Sequence, residues 1–212
     1  MAASHRGLIV IDPQNDYLPA GKFPLWNIGA TLANIEQAIA KAHVVGVPVI
    51  LVQHTADSQQ GIAPFFNAGT HGAEIHPLIR AAAPEAPVVV KQFADGFHHT
   101  TLEATLHQLG VEELLICGMM TQNCVTHTTI SKSAEKYKVA ILPDCCTTVS
   151  EMLHLIALNA VSTRVPSSAR FAPLTSKTCP RIDHRGISGH SSKSVEATQT
   201  APARQRAILG AF

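Results

Sequence analysis

Three short apolar runs in this chain each end on one reactive side chain or turn. Leu8-Ile-Val-Ile11 runs into Asp12, Val88-Val-Val90 into Lys91, and Leu114-Leu-Ile-Cys117 into the turn Gly118-Met-Met-Thr-Gln-Asn-Cys124-Val125. Runs of four or so residues, β-branched and without polar alternation, suit strands buried on both faces. Val49 to Val52 and Val139 to Leu142 read the same way, with Pro143-Asp144 as the turn after the latter. Between them lie helical patterns. Ile28 to Val45 carries Leu32, Ile35, Ala38, Ile39 and Ala42 at helical spacing, and Gly46-Val-Pro48 stops it. Ile75 to Ala82, Thr100 to Leu109, Val125 to Lys136 and Ser150 to Ser162 are further helix predictions, and Phe171 to Leu174 reads as a short last strand. Strands alternating with helices predict an α/β fold: three layers, α/β/α, around a doubly wound, mainly parallel sheet.

A chain of 212 residues with 46% hydrophobic and only 15% charged residues has enough interior for one well-packed domain. That domain is expected over residues 1–176. From 177 to 212 the sequence turns to Ser, Thr, Arg, His and Gly without apolar period, which predicts a poorly ordered polar tail. A net charge of +1 gives no electrostatic basis for nucleic acid or an anionic membrane as partner. The first residues lack the apolar stretch of a signal peptide, and no apolar run approaches a membrane span. Five cysteines, two of them adjacent at Cys145-Cys146, suit a reducing compartment, so the expected location is cytoplasmic.

In open α/β sheets, ligands bind beyond the carboxyl ends of the strands. Asp12, Lys91 and Cys124 all stand at such ends, and together they suit one chemistry. A thiol titrates near pH ~8.5, and a nearby ammonium and a helix N-terminus are expected to lower that value. A carboxylate can take the thiol proton and return it to a leaving amine, while backbone N–H groups receive the oxyanion. The expected pathway runs through a thioester that water then hydrolyses.

These residues sit in four segments: Ile11-Asp12-Pro-Gln-Asn-Asp16; Lys91-Gln-Phe93-Ala-Asp-Gly-Phe97 with Thr101-Leu102; Gly118-Met-Met-Thr121-Gln-Asn-Cys124-Val125; and Asp144-Cys-Cys-Thr147. In this order the chain resembles the isochorismatase-like cysteine hydrolases, which include nicotinamidases, N-carbamoylsarcosine amidases and ureidoacrylate amidohydrolases. The resemblance implies Cys124 as nucleophile, Asp12 as acid/base and Lys91 as the supporting cation. It implies a cis peptide between Met119 and Met120, with the N–H groups of Met120 and Cys124 as oxyanion hole. It makes Gln14, Asn15, Asp16, Phe93 and Phe97 candidates for the substrate pocket, and the loop after the second strand adds His54, Phe65 and Phe66. Nicotinamidases carry an Asp-x-His metal pair after the second strand. Here the place reads Val52-Gln-His-Thr-Ala-Asp57, so no metal and no cofactor is expected. The expected function is hydrolysis of a C–N bond in a small amide or carbamoyl compound, by a homo-oligomer (dimer or larger). The alternatives are isochorismatase-type hydrolysis of a vinyl ether, whose pathway enzymes lack the nucleophilic cysteine, and a non-catalytic binding or scaffold module.

Overall fold

A computed structural model describes residues 5–165. Five strands, β1 (Arg6–Ile11), β2 (Val49–His54), β3 (Val88–Lys91), β4 (Glu113–Met119) and β5 (Lys138–Thr147), form one sheet. All pairs are parallel and the order is β3-β2-β1-β4-β5. Five α-helices connect or follow them: α1 (Ile28–Val44), α2 (Pro77–Ala82), α3 (Leu102–Gln108), α4 (Thr126–Thr129) and α5 (Glu151–Ser162). The chain winds outward from β1 through β2 to β3, then crosses back to β4 and β5. Right-handed crossovers therefore place α1 and α2 on one face and α3 and α4 on the other. Accordingly α1 touches α2, and α4 touches α5.

The strands form where the apolar runs demand two-sided cover. Leu8, Ile9, Val10 and Ile11 of β1 are completely buried at the centre of the sheet. Each such side chain contributes roughly 1.5–3 kcal/mol on leaving water. Helix α1 turns one stripe, Ile28, Leu32, Ile35, Ala38, Ile39 and Ala42, to this core. Its end is set by Gly46, at φ +71°, a left-handed conformation that glycine adopts without steric cost. The start of α5 is set by Ser150, whose hydroxyl accepts from the Leu153 N–H.

Two elements differ from the sequence expectation. The helix expected over 125–136 is broken into a π-helical turn (Thr121–Val125), the single turn α4, and a 3-10 segment (Lys132–Lys136). Threonine hydroxyls compete here: Thr126 donates to the Thr121 carbonyl and Thr129 to that of Val125. Strand β5 does not stop at Leu142 but continues to Thr147. Ile116 pairs with Ile141, yet Gly118 pairs with Cys146, so a bulge holds Pro143 and Asp144 outside the ladder. The expected last strand at 171–174 and the tail 177–212 lie outside the described residues.

One glycine fixes how closely β4 approaches β1. Gly118, at φ +117°, leaves no room for a Cβ, which would collide with the backbone of Ile11. The ends of β1 and β4 are thus drawn together at the topological switch point, next to Asp12 on one side and the turn bearing Cys124 on the other.

Candidate active site

Asp12 is the first residue beyond β1. It holds φ +49°, a conformation that aspartate tolerates better than most residues, and its N–H donates to the Val52 carbonyl. This turns the fully buried carboxylate toward β3. Lys91 closes β3 and lies in register with His54, the last residue of β2. Cys124 sits in the π-helical turn, where the Asn123 and Val125 N–H groups both donate to the Met120 carbonyl. The Met119–Met120 peptide is cis. Thr121 anchors the turn to α5 through a 2.9 Å contact with Nδ1 of His154, and His127 Nδ1 meets the Asn123 carbonyl at 2.8 Å.

The three side chains meet around the Lys91 ammonium. Its Nζ lies 2.8 Å from Asp12 Oδ2 and 3.2 Å from Cys124 Sγ. Two further acceptors complete its surroundings, His54 Nδ1 at 3.0 Å and the Phe93 carbonyl at 3.2 Å. Donor atoms of Asp12, His54 and Cys124 all lie within 4.8 Å of one another. Beyond Lys91 and the thiol, neither carboxylate oxygen of Asp12 has a hydrogen-bond partner among the described residues. It is a buried base with free lone pairs beside the thiol.

The electrostatics correct one sequence expectation. Burial, followed by the Asp12 charge, pushes the Cys124 thiol up to about 12; the Lys91 ammonium pulls the other way and does not prevail. The resting group is therefore a thiol, and the proton must move when substrate is in place. Burial favours a neutral Lys91, but the charge of Asp12, that of Cys124 once ionised, and the hydrogen bonds to both overturn this and raise it. Burial and Lys91 lower His54 to about 4, so its imidazole is neutral.

The expected pocket residues divide into two groups. Gln14 and Asp16 direct their polar atoms at backbone. The Gln14 amide donates to the carbonyls of His54 and Ala73 and accepts from the His54 N–H. Asp16 accepts from the Phe66 N–H at 2.7 Å. Asn15 donates to the His71 carbonyl, while its own buried oxygen lacks a partner among the described residues. These three hold the loop over residues 55–73 against the sheet. Phe65 and Phe66 lie in that loop and pack with Tyr17 and Phe23, and Phe66 also faces His54. Phe93 is half exposed, its ring edge-on to His98, whereas Phe97 stacks on Tyr137. His71 pairs with Glu74, and Asp57 caps a 3-10 turn, so neither joins the group around Lys91.

The sequence reading does not single out Tyr17. It is buried, and burial, then the charges of Cys124, Asp12 and Asp16, hold its phenol well above the ordinary range. Its position directly after the acidic segment, with an aromatic pair in the following loop, was the available signal.

An open parallel sheet with carboxylate, ammonium and thiol at its switch point has the groups of a hydrolase rather than those of a dinucleotide-binding domain. The sequence matches the family described as Isochorismatase domain over residues 6–179, and the chain belongs to this family, whose members are hydrolases. It is 34% identical over 177 residues to the uncharacterized isochorismatase family protein YddQ of Bacillus subtilis (strain 168), covering 77% of this chain and 97% of that one. It is 28% identical to the ureidoacrylate amidohydrolase RutB of Methylobacterium radiotolerans, covering 74% and 72%. The fold is similar to the crystal structure of an isochorismatase family protein from Desulfovibrio vulgaris, with a TM-score of 0.68 and 27% identity, covering 76% of this chain and 90% of that one. Among the described residues, no helix is long and apolar enough to cross a membrane.

Proposed function

We propose that this protein is a cysteine-dependent amidohydrolase that cleaves a C–N bond of a small amide or carbamoyl compound. The observation that carries this reading is the placing of Asp12 Oδ2 and Cys124 Sγ on one ammonium, at 2.8 and 3.2 Å. Asp12 takes the proton from the thiol as sulfur attacks the carbonyl carbon. The resulting oxyanion is received by the backbone N–H groups of Met120 and Cys124. Collapse of the tetrahedral adduct breaks the C–N bond, and Asp12 hands its proton to the departing nitrogen. Water then loses a proton to Asp12 and attacks the thioester; the thiol is reformed and the acid released. Lys91 remains protonated throughout and offsets the charge on whichever partner carries it. The aromatic cluster of Phe65, Phe66 and Tyr17 favours a small, flat substrate. The amidohydrolase name of a relative supports the same class.

The test is ammonia release from a panel of small primary amides and carbamoyl compounds, with mass spectrometry of the protein during turnover. An adduct on the Cys124 peptide that hydroxylamine removes is expected. Cys124→Ala should abolish release and lower the unfolding free energy by only about 1 kcal/mol, so the variant still folds. Hydrolysis of a vinyl ether with undiminished rate after alkylation of Cys124 would establish the thiol-independent alternative instead.

A further inference from the structure

The Lys91 ammonium carries three hydrogens and faces four acceptors: Asp12, Cys124, the Phe93 carbonyl and His54. The first two are the reacting partners and the third is main chain. His54 is the one whose presence the chemistry does not itself require. We propose that His54 is a positioning residue of this site: its neutral imidazole accepts a hydrogen bond from Lys91 through Nδ1 and so sets where the ammonium sits between Asp12 and Cys124. The proposal rests on the reading of Cys124 as nucleophile.

Three independent observations support it. An ammonium only donates, so the 3.0 Å contact fixes the lone pair on Nδ1 and the proton on Nε2. His54 and Lys91 are register partners on adjacent parallel strands, so their side chains leave the sheet on the same side. The His54 backbone is bracketed at both its N–H and its C=O by the buried amide of Gln14, each at 2.8 Å. A residue that only closes off a pocket needs shape. It does not need its backbone clamped at two points or its ring nitrogen aimed at the catalytic cation. The clamp matters because lysine has a flexible four-carbon stem, and ammonium placement decides how far it offsets charge on sulfur. The chain of contacts runs from the segment after Asp12, through Gln14 and His54, to Lys91, so one loop places both the acid and the cation.

The decisive comparison uses His54→Phe, which keeps a ring against Phe66 but removes the acceptor, and His54→Asn, whose Oδ1 takes roughly the place of Nδ1. The readout is the rate at which iodoacetamide alkylates Cys124 at pH 8, followed by the mass of the Cys124 peptide. With the ammonium displaced, His54→Phe should react about tenfold more slowly than wild type, and His54→Asn should recover to within about threefold. Alkylation of His54→Phe at the wild-type rate, or an Asn variant as slow as the Phe variant, overturns the proposal. Should His54→Phe fail to fold, nitrogen-15 NMR of the wild-type imidazole decides alone: a proton on Nε2 is expected, and a proton on Nδ1 refutes it. Absence of turnover on every amide by the wild type would count against the hydrolase reading. The alkylation ratios would still judge His54.

Discussion

On the proposed mechanism, replacing Asp12 should make the Cys124 sulfur more reactive while ending turnover. Asp12 and Cys124 place their donor atoms within 4.8 Å, and the carboxylate charge is the second largest influence, after burial, holding the thiol at about 12. Two unit charges at that separation, with an effective dielectric near 20, interact by about 3.5 kcal/mol, or roughly 2.5 pKa units. Asp12→Asn should therefore bring the thiol down to between about 9 and 10 and speed its alkylation at pH 8 by roughly a hundredfold. Turnover should vanish, because the amide can neither take the thiol proton nor deliver it to a leaving group. The same change leaves Lys91, 1% exposed, without its countercharge. Loss of one partner from a buried pair costs about 3–5 kcal/mol, so the unfolding midpoint should drop by about 10 °C. The assay is iodoacetamide labelling of the Cys124 peptide across pH 6–10, beside a thermal melt. A variant that alkylates no faster than wild type would refute the claim that Asp12 holds the sulfur protonated.

Three further outcomes follow from the geometry. His54 is held near 4 in the folded chain, below its ordinary value of about 6.5, so the unfolded chain takes up the proton first as pH falls. Its contribution is complete above about pH 6.5 and declines toward pH 4, by up to about 3 kcal/mol; urea unfolding at pH 7, 5.5 and 4.5 should show that loss, and His54→Asn should lessen it. Gly118→Ala should destabilise by about 3 kcal/mol or more, since positive φ and the Ile11 backbone both exclude a Cβ; a wild-type denaturation midpoint would contradict the close approach of β1 and β4. Lys91→Ala vacates a point ringed by carboxylate, imidazole and thiol, so cobalt(II) titration should give the visible absorption of a thiolate-bound ion that wild type lacks.

Much of the frame was legible because apolar runs and helical spacing report burial directly. β1 and α1 fall close to where their patterns predict. Local hydrogen bonding blurred the rest. Threonine hydroxyls competing for carbonyls cut the helix after Cys124, and the bulge that carries β5 past Pro143 depends on its pairing with β4, which no local pattern encodes. Three strand ends pointed to Asp12, Lys91 and Cys124, and the fold brings them together. The state of the sulfur was not legible, because it depends on complete burial and on a carboxylate more than a hundred residues away in the chain. Gln14 and Asp16 read as pocket walls from sequence, since side-chain chemistry alone does not reveal that their partners are backbone groups.

The loop after β2 is tied down at three points: Phe66 through Asp16, His71 through Asn15, and Ala73 through Gln14 and Gln53. None of these ties uses the chemical identity of a loop side chain; each grips a main-chain atom. Stretches between and before the ties, including the fully exposed Ile62, can thus be rewritten without moving the reacting atoms. Such an interchangeable cassette would let relatives on this scaffold diverge in what they accept while inheriting the same bond-breaking apparatus.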